Sequence, residues 1–266
     1  MTTVLLVRHG LTAVTGTVLL GWTPGVGLDD RGKAQAAALA QRLASIPLTA
    51  IVSSPLQRCE ETALAIAEQQ GEPKPEPCDD DPVVTIDDRL GECRYGDWTG
   101  QEMTTLTKDP LWRTVQEHPS AVVFPGSEGE ALRDTQHRAV AAIRDWNARL
   151  GPDAVWLACS HGDVIKSIVA DAMGIHLDLF QRISVDPCSL TAIRYTEHRP
   201  FVIRVNDRGG AVADLLPAPR TPGEAPEGDA VVGGGDGQGG NAPGGAGQSR
   251  APGGEPRDSR EHGRRD

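Results

Sequence analysis

Apolar residues follow two rhythms along this chain. Val4 to Val7 is an unbroken run of Val and Leu, the pattern of a strand buried on both faces. Ala36, Leu39, Leu43 and Ile46 instead recur at helical spacing and predict an amphipathic helix over about 30–45. Ala50 to Val52 predicts a second short strand. Ser54-Pro55-Leu56-Gln57 then reads as a helix start, with Ser54 as cap, Pro55 at the first helical position and Gln57 completing a capping box. Leu56, Cys59, Ala63 and Ile66 form the stripe of that helix, and Gly71 can end it. The Pro- and Asp-rich stretch 71–82 reads as a surface loop and Val83 to Ile86 as a strand. Residues 89–126, with irregular Gly, Trp and Pro, read as loops with short helices. Ser127 and Glu130 make a second capping-box signature, ahead of Leu132, Ala139, Ile143, Trp146 and Leu150 on a long helix. Ala154 to Ala158 predicts a third buried strand, and Gly162 to Met173 a helix stopped by Gly174. Ile183 to Val185, Leu190 to Tyr195 and Phe201 to Val205 are candidate closing strands.

Strands alternating with helices imply parallel pairs joined by right-handed crossovers. The expected fold is α/β, a three-layer α/β/α domain around a mostly parallel, doubly wound sheet. Sites in such sheets gather beyond the carboxyl ends of the strands. Arg8-His9 follows the first strand, Ser53-Ser54 and Arg58 the second, and Ser160-His161-Gly162 the third. Two His and two Arg are thus delivered toward one edge of the sheet.

Composition narrows this picture. From residue 209 the chain is dominated by Gly, Pro, Ala and charged residues, and large apolar side chains nearly vanish after Leu216. Such a stretch buries too little apolar surface to offset its ordering entropy. The expected organisation is a catalytic domain over 1–208 and a disordered tail over 209–266. The net charge is −11, and the tail's nine acidic residues against six arginines leave −8 for the domain. That balance argues against nucleic acid as a partner. The five cysteines are scattered, with no CxxC pair, so no disulfide framework is expected. Neither a signal peptide nor a run approaching the roughly 20 apolar residues of a membrane helix is evident, so a cytoplasmic protein without membrane attachment is expected. No stretch marks an oligomer interface.

The two arginines are matched to phosphate or carboxylate oxygens through paired, permanently charged donors. Arg58 falls in the first turn of its predicted helix, where a cation is unfavourable beside the positive end of the dipole and a bound anion would relieve the cost. Its bland alternative is an ion pair with Glu60 or Glu61. His9 and His161 could each be structural, or could ligate a metal. Two neighbouring arginines would repel a cation, and neither His has Cys or carboxylate at compact ligand spacing, so an anion is the better fit. His118, His137, His176 and His198 lack this context and read as surface residues.

These segments, in order, resemble the histidine phosphatase superfamily, also called phosphoglycerate-mutase-like. Arg8-His9-Gly10 resembles its opening signature, and Ser53 through Ala63 (SSPLQRCEETA) its second arginine motif. Leu90-Gly91-Glu92 with Gly96-Asp97-Trp98-Thr99-Gly100 resembles its acid segment, and Ser160-His161-Gly162 its second histidine motif. The likeness spans about 3–205. It implies chemistry without metal or other cofactor. By the same resemblance His9 would be the nucleophile that forms a phosphohistidine, and Arg8, Arg58 and His161 would hold the phosphoryl oxygens. It singles out Glu92 as the proton donor, with Asp87 and Asp88 as the alternatives nearby. Thr15 stands where mutases and many phosphatases carry a phosphate-contacting Asn, and joins the phosphate-binding candidates.

The implied activity is hydrolysis of a phosphomonoester on a small phosphorylated metabolite. Two other readings stay open. One is phosphoglycerate mutase-type transfer, disfavoured because the glyceromutase-like stretch after RHG is not reproduced. The other is a non-catalytic module that binds phosphorylated ligands, which predicts loss of His9 or Glu92, whereas both are present.

Overall fold

The computed structural model describes residues 1–70 and 83–209. The 71–82 loop with Gly71 and Cys78, and the tail from residue 210, lie outside the described residues. Strand β1 (Thr2–Arg8) is followed by α1 (Asp30–Leu43), β2 (Ile51–Ser53), α2 (Gln57–Ala67) and the two-residue strand β3 (Thr85–Ile86). Short helices α3 (Met103–Leu106) and α4 (Pro110–Glu117) lead to the long α5 (Leu132–Leu150). Then come β4 (Val155–Ser160), α6 (Gly162–Met173), β5 (Leu190–Tyr195) and β6 (Pro200–Asp207). Among the described residues no helix is long and apolar enough to cross a membrane.

The strands form one sheet in the order β3-β2-β4-β1-β5-β6. β3, β2, β4 and β1 pair in parallel, and β5 runs antiparallel to both β1 and β6. Side-chain alternation along β1 explains the three layers. Val4 and Leu6 point into a core shared with Ala139, Ile143 and Trp146 of α5 and Val164, Ile165 and Ile168 of α6. Leu5 and Val7 point the other way, onto Ala36, Leu39 and Leu43 of α1 and Cys59, Ala63 and Ile66 of α2. Burial on both faces is why the strand reads as a continuous apolar run.

Several local expectations change. α2 starts at Gln57, not Pro55, and Leu56 occupies the cap position with no side-chain bond to the helix. The Ser54 hydroxyl accepts from Leu56 N at 3.3 Å and otherwise faces His161. The Ser127/Glu130 box is not formed either. Ala131 is the cap of α5, and the Glu130 carboxylate is taken by Arg138, Thr135 and the Arg94 amide. Ile183 to Val185 is not a strand but a connection that buries Ile183 and Val185, and β3 keeps only two of the four predicted residues. The end of α6 is as expected, because Gly174 takes the left-handed conformation at φ +65°.

Register brings the site together. Arg8 lies opposite Ser160, and Ser53 opposite Cys159, so the carboxyl ends of β1, β4 and β2 finish level. The ladder extends one step further: His9 N donates to Ser160 O at 3.0 Å and Ser54 N to Cys159 O at 2.9 Å. Gly10 then meets the start of α1. A Cβ there would lie 2.7 Å from Gly32 O, and one on Gly32 would collide with the Leu11 carbonyl. The need at Gly10 is close backbone approach rather than unusual angles.

Candidate active site

His9, one residue beyond β1, is almost fully buried. Its Nδ1 lies 2.8 Å from the carbonyl of Gly10, which can only accept, so Nδ1 carries the proton. Arg58 Nε donates toward His9 Nε2 at 3.3 Å, consistent with a lone pair on that nitrogen. Burial, then the charges of Arg58 and Arg8, hold the His9 pKa well below the usual imidazole value. The imidazole is therefore neutral at pH 7, with Nε2 available to attack.

Arg58, in the first turn of α2, is 1% exposed, and its partners are not Glu60 or Glu61. Its Nη2 donates to Gly21 O at 2.8 Å and to His161 Nδ1 at 3.3 Å. Glu61 instead accepts from Leu28 N and Gln57. Arg8 Nη1 donates to Val185 O at 2.7 Å. Arg8 Nε and Arg58 Nη1 are buried donors with no acceptor among the described residues. Buried donors are nearly always satisfied, so these two mark where acceptor oxygens belong.

His161 caps α6 at the end of β4 and is fully buried. Its Nε2 lies 2.8 Å from Ser54 Oγ, and its ring centroid 5.2 Å from that of His9. Burial first, then Arg58, His9 and Arg8, lower its pKa as well. Glu92 follows the turn Asp88–Leu90, and its side chain is 12% exposed. Oε1 accepts from Cys93 N at 3.0 Å, and Oε2 lies 3.8 Å from His161 Nδ1. Burial and the charge of Asp163 push its pKa up to about 7, against the opposing pull of Arg58 and Arg8. Asp163, in the first turn of α6, accepts from Tyr95 OH at 3.0 Å. The neighbouring acids are otherwise occupied. Asp87 pairs with Arg89 and accepts from Trp146, and Asp88 is exposed.

Arg8, His9, Arg58, Glu92, Tyr95 and Asp163 line a cavity of about 220 Å³, and the fully buried His161 is not on its wall. Thr15 is also on its wall, but its hydroxyl is engaged by the amide and hydroxyl of Thr12, each at 2.9 Å. His118, His137, His176 and His198 are exposed, as expected. Reading the sequence missed Ser54, Tyr95, Asp163 and the Gly21 carbonyl. Ser54 had a positional signal, directly after the second strand, that also fits a helix cap, and Asp163 directly follows the Ser160-His161-Gly162 motif.

A family model described as the histidine phosphatase superfamily (branch 1) matches residues 4–208. Phosphoserine phosphatase 1 of Hydrogenobacter thermophilus is 30% identical over 182 residues, 67% of this chain and 80% of that protein. A probable phosphoglycerate mutase of Cronobacter sakazakii is 28% identical over 200 residues, 74% of this chain and 86% of that one. Among solved structures, YhfR of Bacillus stearothermophilus superposes with a TM-score of 0.67 at 26% identity, covering 81% of this chain and all of that one.

Proposed function

Since the chain belongs to the histidine phosphatase superfamily, we propose that it is a metal-independent phosphatase that hydrolyses a small phosphorylated metabolite through a phosphohistidine on His9. The observation that carries this reading is the paired state of the two nitrogens of His9. Nδ1 is protonated against Gly10 O, and Nε2 is an unprotonated, buried nucleophile.

Nε2 attacks phosphorus and the bond to the leaving oxygen breaks. Arg8 Nε and Arg58 Nη1 supply the donors that charge on the phosphoryl oxygens requires, in a buried setting where they act strongly. The N-terminus of α6 and His161 add to this field. The dianion offsets the arginines that depress His161 and favours its protonated form. Glu92, with a pKa near 7, gives its proton to the leaving oxygen. As a carboxylate it then takes a proton from water, which attacks phosphorus. The P–N bond breaks, its electrons return to Nε2, and inorganic phosphate leaves. Thr15 shapes the wall through Thr12 and is assigned a supporting contact only. The cavity volume suits a small ester, and Val18, Leu19, Leu20 and Met103 give the leaving-group side an apolar wall. The four cysteines among the described residues are unpaired and buried, which fits a reducing compartment, the cytoplasm.

Transfer of the mutase type is the second reading, favoured by the Cronobacter relative's name. Turnover of 4-nitrophenyl phosphate in excess EDTA, with acid-labile, base-stable labelling that His9→Ala removes, is expected. A parallel arm supplies 3-phosphoglycerate and its bisphosphate primer. Turnover that EDTA abolishes, or labelling that survives His9→Ala, sinks the hydrolase mechanism, and isomerisation faster than phosphate release selects the mutase.

A further inference from the structure

We propose that Arg138, on the inner face of α5, is a positioning residue for the general acid. It holds the backbone of 89–92 so that the Glu92 carboxyl meets the leaving oxygen. The inference rests on the reading of Glu92 as proton donor.

The segment 89–92 leaves a short turn and joins no strand, so its carbonyls have no ladder to accept from. Each is nevertheless taken by a side chain from elsewhere. Arg138 Nη1 donates to Arg89 O at 2.7 Å and to Gly91 O at 2.8 Å. Ser160 Oγ, at the end of β4, donates to Leu90 O at 2.7 Å. Glu92 O accepts from Arg138 Nη2 at 2.9 Å and from Trp22 Nε1 at 2.6 Å. Three of the four carbonyls depend on one guanidinium.

That guanidinium is itself held. Glu130 accepts from Arg138 Nη2 at 2.6 Å and from Nε at 3.2 Å, in a two-point pair. Glu130 Oε1 also accepts from Arg94 N at 2.9 Å, and so grips the chain on the far side of Glu92. Lysine, with one nitrogen, cannot span three carbonyls and a carboxylate at once.

The side chain of Glu92 follows its backbone closely. Oε1 is bonded to the amide of the next residue, Cys93, so the carboxyl is folded onto its own segment. A shift of 89–93 carries the carboxyl with it. Arg138 is not among the residues lining the cavity, so it does not touch the substrate.

The test uses the full chain and single-turnover phosphorylation of His9 by glycerol 2-phosphate or 4-nitrophenyl phosphate. The variants are Arg138→Gln and Arg138→Lys, each alone and combined with Glu92→Gln. Misplacing a reacting group by about 1 Å can cost ~100-fold, so Arg138→Gln is expected to slow the alkyl ester about 10- to 100-fold and the aryl ester less than about 3-fold. Arg138→Lys is expected to fall between Gln and wild type, which keeps the test alive should the Gln variant fail to fold. In the Glu92→Gln background neither substitution is expected to slow the reaction further. Equal losses for both esters, or a full further loss in the Glu92→Gln background, would show a merely structural residue. If Glu92→Gln alone lacks the leaving-group dependence, the acid assignment falls, and this inference with it.

Discussion

Replacing Glu92 by Gln is expected to make the protein more stable, and only above a definite pH. The carboxyl has an ordinary pKa of 4.5 and a folded value of about 7. Its ionised form is disfavoured in the folded state by burial and by Asp163. The raised value means that between these two pH values the native protein holds a proton the unfolded chain has released. Stability therefore falls as pH rises through that window. The full gap corresponds to about 3 kcal/mol, and most of it develops between pH 5 and pH 8. Gln cannot ionise, and its Oε1 can still accept from the Cys93 amide, so it escapes that loss. Urea unfolding of both proteins at pH 5 and pH 8, without phosphate, reads the effect directly. The variant's advantage should grow by about 2 to 3 kcal/mol between the two, or roughly 5–10 °C in Tm for a domain of this size. Phosphorylation by an alkyl ester should slow about 100- to 10,000-fold in the same variant, and the alkaline limb near pH 7 should vanish. A stability difference that is the same at both pH values would refute the argument, because Glu92 would then titrate as an ordinary carboxyl.

Three further outcomes are expected. Asp163→Asn removes the charge that raises Glu92, so the alkaline limb of kcat/KM should move to lower pH; a limb that stays or rises contradicts the electrostatic link. Ser54→Ala leaves the buried Nε2 of His161 without its 2.8 Å hydroxyl partner and should cost about 1–3 kcal/mol in denaturant unfolding, with neutral behaviour counting against the contact. Gly32→Ala would ordinarily strengthen a helix by up to about 1 kcal/mol, but here the methyl meets the Leu11 carbonyl, and a net loss of about 1–2 kcal/mol is expected. A thermal melt at or above wild type would show that the loop can yield.

The sequence by itself determined the sheet's layers and the residues at its edge. Val4 to Val7 and Val155 to Cys159 are apolar throughout because both of their faces are buried, and that burial is written in consecutive residues. The spacing of Ala36, Leu39 and Leu43, and the left-handed Gly174, are equally local features, so α1 and the end of α6 could be read directly. Arg8, His9, Arg58 and His161 were legible because each ends or follows a strand or opens a helix. Partner choice was not legible. Ser54 and Glu130 carry the local signature of helix caps, yet a hydrogen-bonding side chain goes to whichever buried group most needs it. Tertiary packing supplied His161 for Ser54, and Arg138 for Glu130. The same holds for the acid. Glu92 differs from Asp87 and Asp88 through burial, through Asp163 from a helix 71 residues later in the chain, and through carbonyls gripped by Arg138 and Trp22. Periodicity reports which side of an element meets the core, whereas a pKa and a donor's partner depend on atoms that only the folded chain brings near.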